Sequence, residues 1–147
     1  MGQTFVITET FQAHYASLLP IGRWVSRLAE QAGFDEKDSY AVQLAVDEAC
    51  SNIIEHAYGG DGSEGLIECT LRSEVDRLTI ILRDWGHPFD PASVPAPDLA
   101  ADLEACPIGG LGLYLIYHLM DEVHFEFGDA GNVLTIVKYK KFEQKQK

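Results

Sequence analysis

Leu44-Ala-Val-Asp-Glu48-Ala-Cys-Ser-Asn52-Ile-Ile-Glu-His56-Ala-Tyr58 is the stretch on which the reading of this chain turns. Val42, Val46, Ala49 and Ile53, with Ala45 on the adjoining edge, recur at helical spacing, which predicts a helix from about Tyr40 to Ala57, ending before Gly59-Gly60. Asp35 and Asp38 are suited to cap it. Glu48 and Asn52 share one face, and His56 continues that stripe another turn along. An amide oxygen can ligate Mg²⁺, which prefers hard oxygen donors and keeps waters or nucleotide phosphates in its remaining positions. A nearby carboxylate can accept a proton from an attacking hydroxyl. Taken alone, Glu-x-x-x-Asn describes the solvated face of an amphipathic helix better than a site, and His56 reads as a structural hydrogen bonder near a helix end.

Working outward, Thr4-Phe-Val-Ile-Thr8 alternates and is β-branched, which predicts a first strand. Ile21, Trp24, Val25, Leu28, Ala29 and Ala32 then recur at helical spacing from Leu18, with Gly33 as the stop. Leu66 to Arg72 and Leu78 to Arg83 read as antiparallel strands joined by a polar turn at Ser73 to Arg77. Asp90 to Ile108 holds Pro91, Pro95, Pro97 and Pro107, with one short helix conceivable at Asp98 to Ala105. A connection of this length inside a compact domain is usually functional or disordered, and its position favours a lid. A helix at Leu111 to Met120 and strands at Glu122 to Phe127 and Val133 to Tyr139 complete the order. The elements predict one domain over residues 1–147, an α+β two-layer sandwich with a mainly antiparallel sheet and helices on one face.

Two further motifs flank the lid. Asp84 ends an apolar strand and precedes Gly86, so a carboxylate can emerge at the sheet edge where the glycine lets a flat ring approach. The same Asp-x-Gly is also a common strand-to-turn sequence. Gly109-Gly110-Leu111-Gly112 precedes a helix, and unhindered amides at a helix N-terminus can cradle a polyphosphate. Its plain alternative is a flexible loop-to-helix junction. There is no G-x-x-x-x-G-K-[ST] and no G-x-G-x-x-G after a strand, so P-loop and Rossmann readings lack their main support.

Composition narrows the partners. With 23 acidic against 11 basic residues the chain carries a net charge of -12, which opposes nonspecific attraction to nucleic acid and to anionic membrane. An anionic nucleotide would need local help from glycine-rich backbone, a helix terminus and a divalent cation. Charge at this level also serves solubility alone. The three cysteines, Cys50, Cys69 and Cys106, have no CxxC spacing, which argues against a disulfide framework or zinc knuckle and for reduced packing residues. Cys106, in a Pro- and Gly-flanked loop, is the most reactive candidate of the three. Met1 to Glu9 does not read as a signal peptide, and no apolar run reaches the ~18 residues of a membrane span, so a cytoplasmic location is expected.

The ordered combination of the Leu44 to Tyr58 stretch, Asp84-Trp-Gly86-His-Pro88-Phe-Asp90, and Gly109-Gly-Leu-Gly-Leu-Tyr-Leu-Ile followed by Leu119-Met-Asp-Glu-Val resembles the GHKL (Bergerat-fold) ATPases. Within them it resembles the small bacterial anti-sigma factor/serine-protein kinases of partner-switching systems. The resemblance covers nearly the whole chain and implies a Bergerat-type sandwich with an ATP lid. It implies Glu48 as general base, Asn52 as Mg²⁺ ligand, Asp84 as adenine-reading acid with Gly86 its partner, and Gly109, Gly110, Leu111 and Gly112 as the phosphate-side turn. Thr135, on the last strand, is implied to assist the adenine contact. Pro88 departs from the family's D-x-G-x-G, which stiffens the start of the lid and removes one amide donor.

The resemblance implies ATP and Mg²⁺ as cofactors, a serine or threonine of an anti-sigma-factor antagonist as substrate, and a sigma factor as second partner. The first strand and helix resemble the family's dimer region, which implies a homodimer. The leading expectation is therefore a protein-serine/threonine kinase that also sequesters a sigma factor. A nucleotide-binding adaptor without phosphotransfer is the alternative, and the ATPase lobe of a histidine kinase fits less well. Retention of both Glu48 and Asn52 favours the kinase, because binding alone needs the base less.

Overall fold

A computed structural model describes residues 3–88 and 108–141. The chain runs β1 (Phe5–Gln12), a short 3-10 turn (Tyr15–Ser17), α1 (Leu18–Gln31), α2 (Glu36–Asn52), a π-helical segment (Ile53–Ala57), β2 (Leu66–Ser73), β3 (Arg77–Asp84), α3 (Ile108–Leu119), β4 (Glu122–Gly128) and β5 (Gly131–Tyr139). The expected lid, the short helix at Asp98 to Ala105 and Cys106 lie outside the described residues.

The five strands form one sheet in the order β1-β2-β3-β5-β4, every neighbouring pair antiparallel. Because β5 inserts between β3 and β4, Asp84, last in β3, pairs with Asn132 at the start of β5. Alternation along β3 puts Leu78, Ile80, Leu82 and Asp84 in phase, all buried. The helices supply Ile21 and Val25 from α1, Val42 and Val46 from α2, and Ile116 from α3 to the core cluster that these strand residues share. Each fully buried aliphatic side chain contributes about 1.5–3 kcal/mol relative to exposure, so the sheet's helix-facing side is where the fold is stabilised. The two-layer α+β sandwich expected from the element order is the observed architecture.

Boundaries differ from the sequence-based expectation in three informative places. α2 starts at Glu36, ahead of Tyr40, because the Asp35 carboxylate accepts the Asp38 N–H at 2.8 Å while Glu36 and Asp38 place acids in the first turn. The far end of that helix is not α-helical: over Ile53–Ala57 it widens into a π turn, with Tyr58 N–H donating five residues back to Ile53 O at 3.2 Å. α3 starts at Ile108, so Gly109, Gly110, Leu111 and Gly112 belong to the helix and do not form a separate turn before it. Their phosphate-side potential then rests on the first-turn amides, which have no intrahelical acceptor.

Cys50 and Cys69 are free and buried, as expected of packing cysteines; burial, with Asp47 nearby, pushes the Cys50 thiol up to about 12. Among the described residues no helix is long and apolar enough to cross a membrane.

Candidate functional site

An open pocket lies between α2, α3 and the β3, β4 and β5 end of the sheet. Ala49, Asn52, Ile53 and Ala57 line its α2 side, and Leu113 and Ile116 of α3 face it. Asp84, His87 and Asn132 supply polar groups at the strand ends, and Phe125, Phe127, Val133 and Leu134 complete an apolar wall. An apolar slot with a few convergent polar groups is what a flat, hydrogen-bonding ligand requires.

Asn52 reaches this pocket because it ends α2 one turn after Glu48 and beside Ile53. Its Nδ2 is buried and has no hydrogen-bond partner. Such an orphan costs about 1–3 kcal/mol unless a ligand acceptor engages it. That is the donor set expected of an amide that holds Mg²⁺ through its oxygen while its nitrogen meets a ligand oxygen. Among the described residues no cluster of three His, Cys, Asp or Glu could hold a metal ion by itself. A cation here would therefore take most of its ligands from nucleotide and water, as Mg²⁺ commonly does.

Glu48 is half-buried and does not line the pocket. Burial raises its carboxyl above the usual value, and the neighbouring Asp47 carboxylate adds to the shift. Both causes disfavour the anion and move the group towards the strength a base needs near neutrality. His56 is exposed and does not line the pocket.

Asp84 is only 5% exposed. Burial raises its pKa, and hydrogen bonds from Asn132 and the Gly86 amide oppose that rise. Asn132 Nδ2 donates to Asp84 Oδ1 at 2.8 Å and to Gly86 O at 3.1 Å, and Gly86 N–H donates to the same Oδ1 at 3.0 Å. Both hydrogen bonds to the Asp84 carboxylate use Oδ1. Gly86 is required sterically: a Cβ there would lie 2.4 Å from Ala57 O. His87 N–H donates to that same carbonyl at 2.7 Å, and Pro88 follows, exposed.

Thr135 corrects one expectation. It pairs with Ile81 of β3 and His124 of β4, falls between the buried Leu134 and Ile136, and does not line the pocket it was expected to join. The residue that meets Asp84 is Asn132. The signal was present in the sequence: Asn132 is in phase with the apolar Leu134 and Ile136, so its amide had to point into the buried face.

Known proteins resemble this chain along most of its length. A family profile described as the histidine kinase-like ATPase domain matches residues 11–138. The serine-protein kinase RsbW of Bacillus licheniformis is 34% identical over 121 residues, 78% of this chain and 73% of that protein. Its namesake in Halalkalibacterium halodurans is 36% identical over 119 residues, covering 78% and 71%. The RsbW of Bacillus cereus is 34% identical over 137 residues, covering 90% and 82%. Among solved structures, the RsbU and RsbW domains of Rv1364c from Mycobacterium tuberculosis superpose with a TM-score of 0.62 at 18% identity, covering 92% of this chain. This chain spans 32% of that larger one, and the likeness concerns the fold.

Proposed function

The chain belongs to the histidine kinase-like ATPase domain family, and from that membership and its relatedness to RsbW kinases we propose that it is an ATP-dependent serine/threonine-protein kinase and anti-sigma factor. Its substrate is a serine or threonine of a small anti-sigma-factor antagonist, and its second partner is a sigma factor. The observation that carries this reading is the pocket's polarity. At one end stands Asn52, whose amide nitrogen is buried without a partner; at the other stands a buried, locked carboxylate, Asp84. Apolar side chains lie between them.

In this reading Asp84 Oδ2 accepts the exocyclic amine of adenine, and Gly86 keeps Cβ atoms away from the ring. Asn52 Oδ1 holds the metal and its Nδ2 donates to a phosphate oxygen. The first-turn amides of α3, from Gly109 to Gly112, receive the phosphate chain. When bound, Mg²⁺ supplies charge neutralisation for the phosphates. Glu48 takes the proton of the attacking substrate hydroxyl, and the rest of the rate comes from positioning. The net charge of -12 suits a basic face on a protein partner and opposes direct nucleic-acid binding. A cytoplasmic location and a homodimer through β1 and α1 complete the proposal.

The test is incubation of the purified chain with γ-labelled ATP, Mg²⁺ and the small proteins it captures from its native lysate. Label on a partner's serine or threonine is expected. Binding of nucleotide without transfer would make the chain an adaptor, and label on a histidine of the chain itself would make it a histidine-kinase lobe; either result sinks the kinase reading.

A further inference from the structure

Just beyond the π turn, Tyr58 brings together three parts of the fold that are distant in sequence. Its hydroxyl donates to Leu66 O, at the start of β2, at 2.7 Å. The same oxygen accepts the N–H of Trp85 at 2.9 Å, immediately after Asp84 and beyond the end of β3. The β3–β5 ladder stops at the Asp84 and Asn132 pair, so the phenol takes over where strand pairing ends. Its immediate neighbour continues the clamp: Ala57 O accepts His87 N–H at 2.7 Å, and Gly86 is pressed against that carbonyl. The Asp84-Trp85-Gly86-His87 turn is thus held from one side by residues 57 and 58 and from the other by Asn132.

We infer that Tyr58 is a positioning residue for base recognition, its hydroxyl fixing the Asp84 to Gly86 turn in the geometry that reads adenine. This rests on the nucleotide reading above and adds a residue to it. The π turn is what makes the arrangement possible. It follows Asn52 directly, and its Ile53 and Ala57 line the pocket, so one short segment joins the proposed metal-side amide to the turn that would read the base. The ring itself is seated tightly: a Cβ on Gly65 would lie 2.3 Å from Tyr58 Cε1. Gly65 therefore leaves the space that lets the phenol reach both partners.

Two variants approach the contact from opposite sides. Tyr58→Phe keeps the ring and removes the oxygen; Gly65→Ala keeps the oxygen and pushes the ring aside. In each folded variant the preference for ATP over GTP, measured by calorimetry with Mg²⁺, should narrow by about three- to tenfold, the worth of one or two neutral hydrogen bonds. KM for ATP should rise while kcat at saturating ATP stays near the wild-type value, because Glu48 and Asn52 are not moved. A scaffold role alone would lower thermal stability and weaken both nucleotides equally. The wild-type ATP/GTP ratio in folded Tyr58→Phe, or in folded Gly65→Ala, would overturn the inference while leaving the nucleotide site standing. A wild-type chain that binds neither nucleotide would remove the site itself, and this role with it.

Discussion

Asn132 Nδ2 stands 2.8 Å from Asp84 Oδ1, across the last register pair of β5 and β3. One amide thereby orients a carboxylate that the fold has taken almost wholly out of water, and its second contact, to Gly86 O, ties the same nitrogen to the following turn. Close approach of the strand ends is secured by Gly131, where a Cβ would lie 2.9 Å from Asp84 O. The backbone at Gly131 has φ 118°, which a side chain would also disfavour.

Asn132→Ala removes a donor to a buried acid, and hydrogen bonds to charged groups contribute about 1.5–3 kcal/mol. The variant is expected to bind ATP roughly tenfold or more weakly, with the Asp84 carboxyl shifted further upward because one of the two groups opposing its rise is gone. Calorimetry across pH checks both effects. Unchanged affinity would show that Asp84 needs no help from β5.

Asp84→Asn separates stability from function. A carboxyl whose folded pKa is raised contributes stability that is fully present below its unfolded value, near 3.8, and lost as pH rises through the folded value. At neutral pH the ionised Asp84 therefore works against folding, and the uncharged amide, which keeps an oxygen for Asn132 and Gly86, relieves that cost. Thermal melts should show the variant more stable than wild type at pH 7, the difference fading on acidification. ATP binding should be lost selectively relative to GTP, since the acceptor proposed for the exocyclic amine has been changed. A lower melting temperature at pH 7 would contradict the burial argument.

The sheet, the helices and the polar face of α2 were legible because each rests on a short-range signal: alternation in Leu78, Ile80 and Leu82, helical spacing in Val42, Val46 and Ala49, and a cap at Asp35. What escaped was set by relations between distant segments. Thr135 was implied by the family resemblance, yet the pairing of β5 beside β3 decides which polar side chain meets Asp84, and the register gives that place to Asn132. The π turn is likewise invisible to a periodicity of 3.6, because Ile53 and Ala57 fit an α-helix equally well until Gly86 and His87 press against Ala57 O. The glycines of Gly109 to Gly112 suggested a loop, and propensity alone favours one. The apolar run Leu113 to Ile116, with Leu113 and Ile116 buried, accounts for a helix that extends back over them.

Asn52→Ala should abolish the Mg²⁺ dependence of ATP binding. In the proposed site the amide oxygen holds the cation and the nitrogen, buried and unpartnered, meets a ligand oxygen, and alanine removes both. Because the apo protein gains nothing from that unpaired nitrogen, the variant should melt at or above the wild-type temperature. Calorimetry with and without Mg²⁺ reads the first effect and a thermal melt the second. A folded variant with wild-type Mg-ATP affinity would remove Asn52 from the site.

Glu48→Gln is the sharpest test of the chemistry, because it preserves shape and removes basicity. Phosphoryl transfer to the partner serine should fall by roughly 10²-fold or more, the usual scale for losing a positioned general base, while nucleotide and partner binding persist. The wild-type rate should decline on acidification at a pH above that of an ordinary glutamate, since burial and the Asp47 carboxylate both hold Glu48 protonated longer. That limb should be absent from the variant's residual activity. Asp47→Asn supplies the control in sign: removing the neighbouring charge lowers the Glu48 pKa, and the acidic limb should move to lower pH with transfer retained. Wild-type transfer by Glu48→Gln would place the base elsewhere, and an acidic limb indifferent to Asp47→Asn would show that a different group sets it.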